Sequence, residues 1–309
     1  MNSIAASFKP DSSGIGPKQL DHIPNLKLND GHEIPLFGYG LGSARSRDEA
    51  EKTTQLTVMA IKNGYTHLDG AESYKNETEL GVAIKKSGVD RSKLYVTTKL
   101  QNMKTDVPAA FAASLARLGL TYVDLYLIHA PYSASSPEHL QQTWADLEVI
   151  QASGRARSIG VSNFSVSDLE TILKTARVVP ALNQIEFHPY LQHEPDGLLA
   201  FCREKQIAVS AYGALTAVLK AKPGPCDDVH AELAKKYGVS EADVALRWCI
   251  DQGIVAITTS ASEQRLQGYM NKLPAFKLTP KEVESISEEG KKKHYRNYWT
   301  NRFDADDRR

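Results

Sequence analysis

Four polar residues close or follow β-like runs and are spaced to act together. Asp69 ends His67-Leu68-Asp69, Lys99 ends Thr97-Thr98-Lys99, and His129 ends Leu127-Ile128-His129; Tyr74 follows Asp69 in the next loop. A lysine at the end of such a run is rarely buried unless a carboxylate pairs with it, and Asp69 ends the neighbouring run. An ammonium beside a phenol favours the phenolate and is expected to lower the Tyr74 pKa from its usual value of about 10. A phenol tuned in this way donates a proton to a carbonyl oxygen, and His129 would orient that carbonyl by a hydrogen bond. Singly, each residue is more often structural than functional: a cap, a loop aromatic, a strand-end charge, a core histidine. Their placement on three consecutive runs favours one site for carbonyl reduction. The competing chemistry is a metal-dependent hydrolase barrel using His67, Asp69, Lys99, His129 and His188. It leaves Tyr74 and the Ser162-Asn163 pair idle, and no metal is expected.

These residues need a frame that gathers strand ends. Eight β-like runs are marked, at 37–40, 66–69, 94–99, 123–129, 156–161, 181–186, 207–212 and 255–258. Amphipathic helical segments alternate with them, at 48–63, 77–87, 108–118, 137–153, 166–176 and 240–252, with Asn76, Ser165 and Ser240 as expected N-caps. This alternation, in one composition regime, predicts an α/β fold: a single (β/α)8 TIM barrel over 23–309. A flexible leader is expected over 1–22, and Asp30-Gly31 marks an N-terminal hairpin. An aromatic tail (Tyr295, Tyr298, Trp299, Phe303) is expected over the barrel mouth, where chemistry in this fold resides.

Other classes are excluded by what the chain lacks. It carries 37 basic and 37 acidic side chains in 309 residues, so no charge imbalance points to nucleic acid or an anionic membrane. No apolar run approaches the roughly 20 residues of a membrane span. Three scattered cysteines make neither a disulfide framework nor a zinc motif. With no long apolar stretch at the start, a cytoplasmic protein is expected. Gly38-Tyr39-Gly40-Leu41-Gly42-Ser43 fails the dinucleotide fingerprint at its third position, and no P-loop or His-Glu-x-x-His occurs. Gly160-Val161-Ser162-Asn163-Phe164 begins like a nucleophile elbow, but Phe164 takes the place of the second glycine.

The stretches Asp69-Gly70-Ala71-Glu72-Ser73-Tyr74-Lys75-Asn76-Glu77, Thr97-Thr98-Lys99 and Asp124-Leu125-Tyr126-Leu127-Ile128-His129-Ala130-Pro131 resemble the catalytic blocks of the aldo-keto reductases. Gly160–Phe164, Asn183-Gln184-Ile185-Glu186-Phe187-His188-Pro189 and Ser210-Ala211-Tyr212-Gly213 are similar to the family's nicotinamide-holding blocks, and the likeness runs from about Leu28 to Lys281. The resemblance implies a barrel binding NADPH (NADP+) in an extended pose, with Tyr74 as general acid, Asp69 and Lys99 tuning it, and His129 orienting a small-molecule carbonyl substrate. It further implies that Ser162, Asn163 and Gln184 hold the carboxamide, that Tyr212 stacks on the nicotinamide ring, and that Gly160 and Leu215 line the cofactor channel. A monomer is implied as well.

Three departures from the family pattern carry information. Ala130 stands where a tryptophan is usual, which implies a wider mouth for bulky ketones. Thr258-Thr259-Ser260 replaces Pro-Lys-Ser at the 2′-phosphate, leaving Ser260 and Arg265 to hold it. Tyr269 replaces an asparagine near the adenine. Ala130, the Thr-Thr-Ser block and the tail Tyr298–Phe303 resemble the fungal branch that reduces α-keto amides and conjugated polyketones, in which Trp299 or Tyr298 would touch substrate; that both only pin the tail to the barrel is the equal alternative. A non-catalytic NADPH-sensing subunit is the second reading of the same likeness.

Overall fold

Residues 22–42, 48–194 and 197–309 are described, in a computed structural model. The leader expected over 1–22 lies outside them, except for its last residue. The Asp30-Gly31 signal makes a hairpin: β1 (Asn25–Lys27) pairs antiparallel with β2 (Glu33–Pro35), and Gly31 takes the positive φ of +89° that the turn requires. The hairpin runs directly into the start of the first barrel strand. It buries Leu28 and Ile34 in the core and so closes the barrel end opposite the mouth.

Eight parallel strands follow: β3 (Phe37–Gly40), β4 (His67–Asp69), β5 (Tyr95–Leu100), β6 (Val123–Ile128), β7 (Ala156–Ser162), β8 (Leu182–Glu186), β9 (Ala208–Tyr212) and β10 (Val255–Thr258). Each pairs with the next, and β10 pairs with β3, which closes the barrel. Strands covered on both faces can be apolar throughout, which is why they read as short apolar runs. Six of the eight runs shift by a residue at one or both ends. The third expected run becomes Tyr95–Leu100, and β6 ends at Ile128, so His129 is the first residue of the loop above it.

Helix starts explain how the loops at the mouth are held. Ser165 and Ser240 are N-caps as expected, each closing a reciprocal capping box, with Asp168 and Asp243. Asn76 departs from expectation. It sits at the N-cap position, but its side-chain amide donates to Leu41 O at 3.0 Å and ties the loop after β4 to the loop after β3. Beyond the helical segments read from the sequence, the chain forms helices at Leu198–Glu204, Thr216–Leu219, Cys226–Tyr237, Glu263–Lys272 and Pro280–Lys291. No helix among the described residues is long and apolar enough to cross a membrane.

The tail crosses the mouth. The backbone N–H groups of Asn297 and Tyr298 donate to the Glu186 carboxylate at the top of β8, and the Trp299 indole donates to the Tyr212 hydroxyl at the top of β9.

Candidate active site

Asp69 ends β4 and Lys99 is the last residue but one of β5, its neighbour in the barrel, and both are buried. Lys99 Nζ donates to Asp69 Oδ2 at 2.9 Å, to Gly70 O at 2.8 Å and to the Tyr74 hydroxyl at 3.3 Å. An ammonium has three protons, so all are engaged and its direction is fixed. Burial alone would lower the Lys99 pKa; the Asp69 charge and Tyr74 outweigh it and hold the ammonium above its ordinary value. For Tyr74 the balance goes the other way. Burial raises the phenol above its ordinary value, and Lys99 recovers only part of that rise. The expected acidification is therefore corrected: the cation pulls in the predicted direction, but desolvation wins and the phenol stays protonated. Because its oxygen accepts from Lys99, the Tyr74 O–H remains available to another acceptor.

His129 stands beside this group, its ring edge-on to that of Tyr74 with centroids 5.6 Å apart. Burial first, and the Lys99 charge second, push its pKa down to about 3, so the imidazole is neutral. Its Nδ1 lies 3.1 Å from Ser73 Oγ. If the hydroxyl donates, the ring proton sits on Nε2, an assignment that follows from the hydrogen-bond pattern.

A second polar group lies across the mouth on β7, β8 and β9. Ser162 Oγ donates to Gln184 O at 2.7 Å, and Asn163 Nδ2 donates to His129 O at 2.8 Å and to Ser162 Oγ at 3.0 Å. Asn163 adopts φ +60°, a conformation asparagine tolerates better than most residues. The Gln184 amide donates to Asp69 Oδ1 at 2.9 Å, so this residue also braces the buried carboxylate. The Tyr212 hydroxyl donates to Asn163 Oδ1 at 2.5 Å. Leu215, half-buried, follows Gly213 and opens the short helix Thr216–Leu219.

At the other end, above β10, Ser260 is buried and its Oγ accepts from the Ser262 N–H. Arg265 lies exposed in the first turn of the helix Glu263–Lys272, with no ion pair to any described residue. The buried Thr259 hydroxyl has no hydrogen-bond partner. Tyr269 is 4% exposed and packs edge-on against Phe37, so it belongs to the core. Gly160, expected at the channel wall, lies inside the sheet: a Cβ there would stand 2.5 Å from Leu182 O. Ala130 is half-buried and leads into a turn whose Tyr132 packs against Trp299, centroids 4.9 Å apart.

Gly42 and Ser73 are not marked by the sequence, and Glu186 is marked only as a polar strand end. Gly42 lies in the failed glycine motif, yet a Cβ there would meet the Tyr74 ring at 2.7 Å. Ser73 orients His129, and Glu186 holds the tail. The alternative metal ligands do not gather. His67 Nε2 is bonded to Thr97 Oγ1 inside the barrel, and no group of three His, Cys, Asp or Glu suited to a metal occurs among the described residues.

Residues 37–290 match the model of the Aldo/keto reductase family. The chain belongs to this family. It is 37% identical over 296 residues to the NADPH-dependent alpha-keto amide reductase of Saccharomyces cerevisiae, covering 90% of this chain and 95% of the relative. It is 36% identical over 275 residues to the NAD/NADP-dependent indole-3-acetaldehyde reductase of Schizosaccharomyces pombe, covering 87% and 96%. Among solved structures, the Bombyx mori aldo-keto reductase in complex with NADP superposes with a TM-score of 0.79 at 35% identity, covering 86% of this chain and 92% of that one.

Proposed function

We propose that this chain reduces ketones and aldehydes to alcohols with NADPH, Tyr74 acting as general acid. The observation that carries the reading is the Lys99 hydrogen bond into the Tyr74 oxygen, which leaves the phenolic proton for a substrate carbonyl. As that proton leaves, Lys99 stabilises the phenolate that forms, and Asp69 keeps the ammonium charged and aimed. His129, neutral and held at Nδ1 by Ser73, donates from Nε2 to the same carbonyl oxygen. Two donors converging on one oxygen stabilise the negative charge that develops there.

The residues present fit NADPH. Ser162, Asn163 and Gln184 offer amide and hydroxyl groups for the carboxamide, with Tyr212 and Leu215 flanking the ring. Ser260 and Arg265 take the 2′-phosphate, where the unsatisfied Thr259 hydroxyl gains an acceptor. NADPH supplies the hydride when bound.

A small side chain at Ala130 and the likeness to an alpha-keto amide reductase support α-keto amides, conjugated diketones and keto lactones as substrates. The test is an NADPH-oxidation screen across simple aldehydes, α-keto amides, isatin-like diketones and keto lactones. Turnover highest on the vicinal dicarbonyls is expected. Tight NADPH binding with no oxidation by any carbonyl would overturn the reading in favour of a cofactor-sensing subunit.

A further inference from the structure

A buried carboxylate with no part in proton transfer sits at the end of β8. Glu186 is 1% exposed, and every oxygen it owns is committed. Oε1 accepts from the Asn297 N–H at 2.8 Å and lies 3.1 Å from His188 Nε2; Oε2 accepts from the Tyr298 N–H at 3.0 Å. Burying a carboxylate is costly unless donors surround it, and here two of those donors belong to the tail, more than a hundred residues away in sequence. The next residue, Trp299, takes a left-handed φ of +59°. Its indole turns back onto the Tyr212 hydroxyl at 3.1 Å and against the Tyr132 ring. Tyr212 in turn donates to Asn163, and Asn163 to the carbonyl of His129. Hydrogen bonds, linked through the main chain from Tyr298 to Trp299, thus join the Glu186 carboxylate to the loop that carries the carbonyl-orienting histidine.

We propose that Glu186 is a positioning residue for the carbonyl substrate: it latches the tail through backbone amides and so seats Trp299 as a wall of the pocket. This rests on the reductase reading above. The latch grips main-chain groups, so it fixes where the tail runs whatever side chains stand at 297 and 298. Trp299 then decides the shape that substrates meet. An amide in place of the carboxylate would set an NH2 against one of the two backbone N–H donors, breaking the latch with almost no change of volume.

The test uses Glu186→Gln, Trp299→Ala and the double variant. Trypsin cleavage after Arg302, exposed in the tail, is expected to quicken roughly tenfold in Glu186→Gln, as loss of a buried hydrogen bond implies. The KM for a compact vicinal dicarbonyl should rise roughly tenfold while kcat stays within about threefold, the pattern of lost binding without lost chemistry. In the double variant KM should match Trp299→Ala alone, because both changes remove one wall. Should Glu186→Gln fail to fold, Asn297→Pro removes one donor from the tail side, leaves the buried carboxylate in place, and is expected to give the same faster cleavage and higher KM. Unchanged cleavage in the folded variant, or KM effects that multiply in the double variant, would overturn the latch. Cleavage is read on the protein alone, so a wild-type chain that oxidises no NADPH defeats the reductase reading separately.

Discussion

The backbone of Gly42 lies directly against the phenol of Tyr74: a Cβ at that position would stand 2.7 Å from the ring Cζ and 3.0 Å from the hydroxyl. The loop leaving β3 therefore sets one side of the slot in which the Tyr74 phenol is held. Asn76 reinforces the contact by bonding its amide to Leu41 O, one residue earlier.

Gly42→Ala must push the ring aside, and a displacement of about 1 Å in a catalytic group can cost on the order of a hundredfold in rate. The expected outcome is a kcat lower by roughly ten- to a hundredfold with NADPH affinity changed by less than about threefold, read by steady-state kinetics and nucleotide fluorescence. A kcat equal to that of wild type would show that the slot tolerates a methyl group.

Lys99 is fully buried against Asp69, so Lys99→Met leaves an uncompensated carboxylate in the barrel. The expected loss is about 3–5 kcal/mol in urea unfolding. Adding Asp69→Asn removes the stranded charge and should restore part of the stability. A double variant less stable than Lys99→Met would contradict this account of the pair.

Two groups set the pH behaviour. Tyr74 is held above its ordinary value and His129 is pushed down to about 3, so neither changes state near neutrality. The kcat/KM for reduction should be flat from about pH 6 to about pH 9, given reference values of about 6.5 for histidine and about 10 for tyrosine. Stability follows with a definite sign. Burial lowers His67 to about 4 and His129 to about 3, so the unfolded chain takes up protons that the folded chain refuses. Their contribution is complete above about pH 6.5 and is lost as the pH falls toward the folded values. Urea midpoints should hold steady above that point and decline below it. An inflection in kcat/KM at about pH 6.5 would contradict a neutral, desolvated His129.

Arg265 has no ion-pair partner among the described residues and is exposed in the first turn of the helix Glu263–Lys272. A charge-assisted contact is worth about 1.5–3 kcal/mol, so Arg265→Ala should weaken NADPH binding by roughly ten- to a hundredfold and leave NADH nearly unchanged. Equal weakening of both nucleotides would remove Arg265 from the 2′-phosphate.

The barrel was legible in the chain because strands covered on both faces become apolar runs, and because Ser165 and Ser240 announce their helices with capping boxes. The polar cluster at the mouth was legible for a related reason: Asp69, Lys99 and His129 are costly residues at the ends of such runs. What stayed hidden depends on contacts between distant elements. Gly42 and Ser73 matter through the ring each one touches, and Glu186 through amides 111 and 112 residues further along. The direction of the Tyr74 shift was hidden too. A nearby cation can be read from spacing, but the competing desolvation depends on how deeply the loop is packed.

The central claim is that the Tyr74 hydroxyl delivers the proton. Tyr74→Phe removes that one oxygen and leaves the Lys99–Asp69 pair in place. Single-turnover oxidation of bound NADPH by a vicinal diketone should slow at least roughly a hundredfold, as the loss of a general acid implies, with the NADPH Kd within about twofold of wild type. A variant that keeps more than about half of the wild-type rate would contradict the account.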